Sequence, residues 1–129
     1  MDNITNRKNI NGVVNETIFQ FPSIKFKVNL DEKVKEVGLN FTELSLLTGI
    51  RYASINELKN NKKVTLNLQH VLAIMVALRI KSFDELFEIT FDNAEDAERF
   101  DMEANYYSSK GLPDSVLGKI EENRIKLGR

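Results

Sequence analysis

The chain has 129 residues, 42% of them hydrophobic, no cysteine, and a formal net charge of -1. That length supports one compact domain with a modest core and an appendage, and the lack of cysteine excludes a disulfide framework, a thiolate metal site and a cysteine nucleophile while fitting a reducing compartment. The mean charge hides a division: residues 1–81 hold 12 Lys and Arg against 7 Asp and Glu, whereas residues 82–129 hold 6 against 12, which suits the first part to an anion and the second to another task.

Residues 1–17 are polar, asparagine-rich and without period, as expected of a mobile arm. They lack the basic start and continuous apolar run of a secretory signal. The following "TIFQFPSIKFKV" alternates, with Ile24, Phe26 and Val28 on one side and Lys25 and Lys27 on the other. That period of two predicts an extended lead-in or short hairpin, with Pro22 at a turn or edge.

From Asn29 the period becomes helical. Asn29 with Glu32, Asn40 with Glu43, and Ser82 with Glu85 each have the spacing of a capping box, in which a polar cap and a carboxylate three residues on satisfy each other's free amides. A first helix is predicted over 30–37, burying Leu30, Val34 and Val37 and ended by Gly38 in the left-handed conformation. A second is predicted over 41–48 with Leu44 and Leu47 inward; Gly49 turns tightly and Ile50 plugs the turn. A third, over 52–60, turns Ile55 and Leu58 inward. Its polar and charged side chains then face out, and the loop "NNKK" follows.

Asn67 caps a fourth helix over 68–78, with a stripe of Leu68, Val71, Leu72, Met75 and Leu78. Its remaining faces are nearly all apolar too, so it needs cover from more than one side. The longest apolar run, 71–78, is far shorter than the roughly 20 residues that span a bilayer, and a soluble, cytoplasmic protein is expected. A fifth helix is predicted over 83–90, burying Phe83, Leu86 and Phe87. Beyond it, "FDNAEDAERFDMEANYYSSKGLPD" carries the narrow stripe Ala97, Phe100, Ala104, Tyr107 on an acidic helix, and "DSVLGKIEENRIKL" a last one with Val116, Leu117, Ile120 and Leu127 on one side.

Two short helices joined at a glycine turn, the second presenting polar groups, make a helix-turn-helix arrangement. The ordered set of Leu44, Thr48, Gly49, Ile50, Ile55 and Leu58, the "NNKK" loop, "LNLQHVLAIMVAL" and "SFDELF" resembles the lambda-repressor-like (Cro, XRE family) helix-turn-helix domains. The resemblance spans about 24–91. It departs from the family pattern at Ser45, where alanine is frequent, at Lys59-Asn60-Asn61, where an acidic residue and glycine are common, and at Arg51, where a capping Ser or Thr is frequent.

The resemblance implies an all-α fold with a compact five-helix domain over 24–91; composition and period place a polar N-terminal arm over 1–23 before it and an acidic helical extension over 92–129 after it. It also implies a double-stranded DNA-binding transcriptional regulator, a repressor acting as a homodimer on a pseudo-palindromic site; richness in Asn, Ile and Lys points to an AT-rich bacterial or phage genome. Base-edge contacts are implied for Arg51, Tyr52, Ser54, Asn56 and Glu57, and phosphate contacts for Thr42, Lys59, Asn60, Asn61, Lys62 and Lys63. Residue chemistry agrees in part, since Arg can fork onto guanine, Asn onto adenine, and Glu can accept from cytosine. Ile74, Ala97, Phe100, Ala104 and Tyr107 are the candidates for the dimer interface.

No enzyme is expected, because the carboxylates after residue 82 form an acidic face with no histidine or glycine-rich phosphate loop beside them. No cofactor or metal is expected either: His70, the only histidine, has no partner ligand near it in sequence. The alternative reading is a protein-interaction module, an antirepressor or antitoxin-like adaptor that binds a protein partner through the acidic C-terminal part.

Overall fold

A computed structural model describes residues 12–62 and 65–129; residues 1–11 of the expected arm, with Lys63 and Val64, lie outside the described residues, whereas the part of the arm from residue 12 to 17 is helical. Residues 12–18 are helical (α1). There follow β1 (Ile24–Val28), α2 (Leu30–Glu36), α3 (Phe41–Thr48), α4 (Tyr52–Lys59), α5 (Leu68–Leu78), a 3-10 turn (Phe83–Glu85), β2 (Phe87–Phe91), α6 (Ala94–Lys110) and α7 (Asp114–Leu127). The chain divides into two compact units, Phe26–Thr90 and a second formed by Met1–Lys25 with Phe91–Arg129.

β1 and β2 form a two-stranded sheet. Asn29 N–H donates to the Leu86 carbonyl at 2.8 Å and Asp92 N–H to the Ser23 carbonyl at 3.1 Å, so the pairing is antiparallel. Lys25 pairs with Asp92 at 2.8 Å and Lys27 with Glu88 at 3.6 Å, opposite charges across the ribbon that favour this register over a one-residue slip. The fold is therefore mostly helical but not all-α. The expected fifth helix over 83–90 is instead one 3-10 turn and a strand. "FEITF" is short and rich in β-branched and aromatic residues, and β1 offers it an edge.

The core of the 26–90 unit is Leu30 and Val34 of α2, Leu44, Ile50, Ile55, four residues of α5 (Val71, Ile74, Met75 and Leu78), and Leu86 and Phe87. Several expected core positions are exposed: Val37, Leu47, Leu68, Leu72 and Phe83. Ile74, expected at a dimer surface, is completely buried. On α5 the buried face is centred one flank away from the stripe read in the sequence. A helix of 11 residues that is apolar nearly all round has several stripes to choose from, and α2 and α3 decide which one is covered.

Local signals fix the helix ends. Asn40 and Glu43 complete their capping box at 2.8 and 3.0 Å, and Asn67 accepts from His70 N–H at 3.2 Å. The other two expected boxes do not form. Asn29 Nδ2 reaches across to Glu88 at 3.2 Å, and the Ser82 hydroxyl donates to Asp84. Gly49 ends α3 at φ 79°, a left-handed conformation that L side chains enter only with strain.

In the second unit, Phe21 is the buried apolar residue, packed edge-on against Phe91 at 5.8 Å and Phe100 at 5.2 Å. The Arg99 guanidinium lies 4.2 Å over the Phe21 ring. Asp96, on the first turn of α6, accepts from the Ser23 backbone N–H at 2.9 Å and the Ser23 hydroxyl at 2.6 Å. Those two hydrogen bonds, with a smaller contribution from Arg99, hold its carboxyl below the usual carboxylate range. A lowered folded-state value means that Asp96 stabilises this unit above the unfolded carboxylate value of about 3.9 and that this stabilisation is lost as pH falls through the lowered value. Asp96→Asn is expected to remove that part of the acid limb, read as a flatter dependence of the thermal midpoint on pH between about 5 and 2.

Candidate nucleic-acid interface

The angle between α3 and α4 is set by two hydroxyls and one glycine. Thr48 Oγ1 donates to the Leu44 carbonyl at 2.8 Å and accepts from Ile50 N–H at 3.2 Å, while Ser45 Oγ donates to the Ile50 carbonyl at 2.6 Å. The Ile50 side chain, 6% exposed, drops into the core between the helices. Ser45, which stands in place of the family's alanine, thus bonds across the turn to the carbonyl of Ile50, whose N–H is held by Thr48. With Ile55 buried and Leu58 packed on the core, α4 has one rotational setting.

That setting leaves Arg51, Tyr52 and Ala53 exposed at the N-terminal end of α4, with Ser54, Asn56, Glu57 and Lys59 half-buried. Arg51 is the N-cap, with extended backbone angles and no capping hydrogen bond, and the first turn holds no acidic residue. Among the described residues the Arg51 side chain has no hydrogen bond or ion pair. A cation beside the positive end of a helix dipole is electrostatically mismatched, and an anion bound there relieves the mismatch. Ala53, which was not among the sequence candidates, lies at the centre of the outward face. A methyl group there can touch the thymine methyl, and the helical spacing from Ile55 and Leu58 would have identified it.

The remaining candidates divide. Ser54, Glu57 and Asn61 border a hollow of about 330 Å³ between α4 and the start of α5, at the side of α4 and away from the centre of its outward face. Lys59 lies across Phe41, its ammonium 4.6 Å from the ring centre, which brings its charge to the end of α3 that carries exposed Thr42. Asn60 Nδ2 donates to Asn56 Oδ1 at 3.2 Å. Asn61 adopts φ 53°, as asparagine can where glycine is common, and its Nδ2 donates to the Phe26 carbonyl at 2.8 Å. Lys62 is exposed; Lys63 lies outside the described residues.

The expected interface stripe on α6 differs in exposure along its length. Phe100 is held in the Phe21 and Phe91 ring cluster and Ala97 is half-buried, whereas Ala104 and Tyr107 are exposed. Among the described residues no group of three or more His, Asp or Glu side chains is placed to hold a metal ion, and no helix is long and apolar enough to cross a membrane.

Residues 29–92 match the family model of the Cro/C1-type HTH DNA-binding domain. No curated protein and no solved structure matches the chain.

Proposed function

Because residues 29–92 belong to the Cro/C1-type helix-turn-helix DNA-binding domains, we propose that the chain is a sequence-specific transcriptional regulator of double-stranded DNA, a repressor, that reads the major groove with α4. The carrying observation is the outward N-terminal end of α4: Arg51 unpaired among the described residues, Tyr52 and Ala53 exposed beside it, and no acidic residue in the first turn. Arg51, Tyr52, Ala53 and Asn56 meet base edges. Thr42, Lys59 and Lys62 meet phosphate, which fixes register without reading sequence.

A single domain of this size makes few base contacts, and a second copy one helical turn away along the duplex supplies the remaining affinity. Ile74 is fully buried, which leaves half-buried Ala97 and Phe100 and exposed Ala104 and Tyr107 as candidates for the pairing surface. The test is selection from a random-duplex pool at two salt concentrations. An enriched motif is expected, with log affinity falling against log salt by about 0.9 per phosphate contacted. Binding that is absent at low salt would end this reading.

A second reading, a helix-turn-helix module that binds a protein partner, is favoured by one observation. In the unit that contains α6, Met102 is 73% exposed, on a helix with five acidic residues against two basic ones. Such a surface suits a partner with apolar and basic groups, and this reading expects the selection to enrich nothing.

A further inference from the structure

Both polar groups of the Ile50 main chain are held, and so is its side chain. Ile50 N–H donates to Thr48 Oγ1 at 3.2 Å, and the Ile50 carbonyl accepts from Ser45 Oγ at 2.6 Å. The sense of the second bond admits no alternative: a carbonyl oxygen only accepts, so the hydroxyl donates. Ser45 and Thr48 are half-buried on α3, and the Ile50 side chain is sunk in the core. Alanine, frequent in the family at the position of Ser45, has no hydroxyl to make this bond.

The Ile50 carbonyl shares a rigid peptide plane with the Arg51 N–H, so holding the one fixes the other. On the far side of Arg51, its own carbonyl accepts from Ser54 N–H at 3.0 Å and Ile55 N–H at 3.2 Å, the first bonds of α4. Arg51 thus stands between two fixed peptide planes, which set the direction in which its side chain leaves the main chain. This matters because Arg51 is the N-cap of α4 and makes no capping hydrogen bond. A Ser or Thr there would tie down the helix end through its own side chain. Arg51 keeps its side chain for the groove and is held from α3 instead. We infer that Ser45 is a positioning residue for base reading: its hydroxyl takes over the anchoring that a capping side chain supplies, and it aims Arg51 at the O6 and N7 acceptors of a guanine edge. Fixing the main chain before binding lessens the ordering that the complex requires. The inference rests on the groove-reading role proposed for α4 and adds to it a residue that itself reads no base.

The experiment is duplex selection followed by competition binding, with the full chain and its Ser45→Ala, Arg51→Ala and doubly substituted variants. Ser45→Ala introduces the residue frequent in the family, and its thermal unfolding checks that the fold is kept. It is expected to lower the preference at the base position that Arg51→Ala flattens by roughly 2- to 12-fold, the net contribution of one neutral hydrogen bond. The other positions and the salt slope should stay as in the parent chain. In the Arg51→Ala background the same substitution should change no base preference, since no guanidinium is left to aim. An effect of Ser45→Ala that persists without Arg51 overturns the inference, as does a loss spread evenly over all positions or an unchanged motif.

The backbone amide order parameter of Arg51 in the DNA-free protein gives a readout that needs no binding. It should fall in Ser45→Ala, and a value equal to the parent's overturns the anchoring. If the parent chain enriches nothing, groove reading by α4 fails and the base-reading part of the inference fails with it. Enrichment of a motif with an unchanged Arg51 order parameter overturns the anchoring alone.

Discussion

Replacing Arg51 and Asn56 together with alanine is expected to erase sequence preference while leaving salt-sensitive background binding. Each good base contact discriminates by about 1–3 kcal/mol, so the double variant should lose on the order of 30- to 20,000-fold in preference for the enriched duplex over a scrambled one, if the two contacts add. Fold stability should change little. Arg51 is exposed with no partner among the described residues, and Asn56 is bonded through its side chain to exposed Asn60, so neither loss leaves a buried group unsatisfied. The background that remains is the electrostatic grip of the lysines and the α3 terminus, which any sequence can engage. Competition binding of the two duplexes decides the matter: a preference that survives intact removes α4 from the reading role.

Ile74→Ala is expected to cost about 2–5 kcal/mol in the urea unfolding of the 26–90 unit. Ile74 has no exposed surface and sits in the cluster that joins α2, α3, α4 and α5. Truncation therefore leaves a cavity that these short helices can close only by moving one another. A control lies two residues along the same helix: Val76 is 62% exposed, and Val76→Ala should stay within about 0.5 kcal/mol. A pairing residue would behave the other way, with Ile74→Ala leaving the urea midpoint in place and shifting sedimentation. The result matters for function because the packing around Ile74 and Ile55 holds α4 at its angle to α3.

The helix-turn-helix was legible in the sequence because its signals are local. Asn40 and Glu43 satisfy each other within one turn of helix, Gly49 ends α3 in the conformation glycine favours, and Ile55 with Leu58 gives α4 an inner side. Asn61 adopts the left-handed conformation where the family has glycine. The outward face of α4 was legible in outline, but its centre was not, because Ala53 carries no polar group to draw attention. Asn60 and Asn61 look from sequence like a polar loop suited to phosphate; their amides are spent inside the protein, on Asn56 and Phe26.

By itself, then, the sequence determined α2 to α5 to within a residue at their ends, the glycine turn, the inner side of α4 and the break at Gly111 and Pro113. Caps, left-handed residues and apolar periodicity act over three or four positions and need no partner. The tertiary structure decided the rest. It made 87–91 a strand, because β1 lies beside it and a lone short segment cannot pair with itself. It chose Ile74 over Leu72 for the core, because an all-apolar helix specifies no single face. It bound Asn29 to Glu88, Asn61 to Phe26 and Ser23 to Asp96, contacts spanning 59, 35 and 73 positions. No local pattern announces such bonds, since the partner that satisfies each polar group arrives only when the chain has folded.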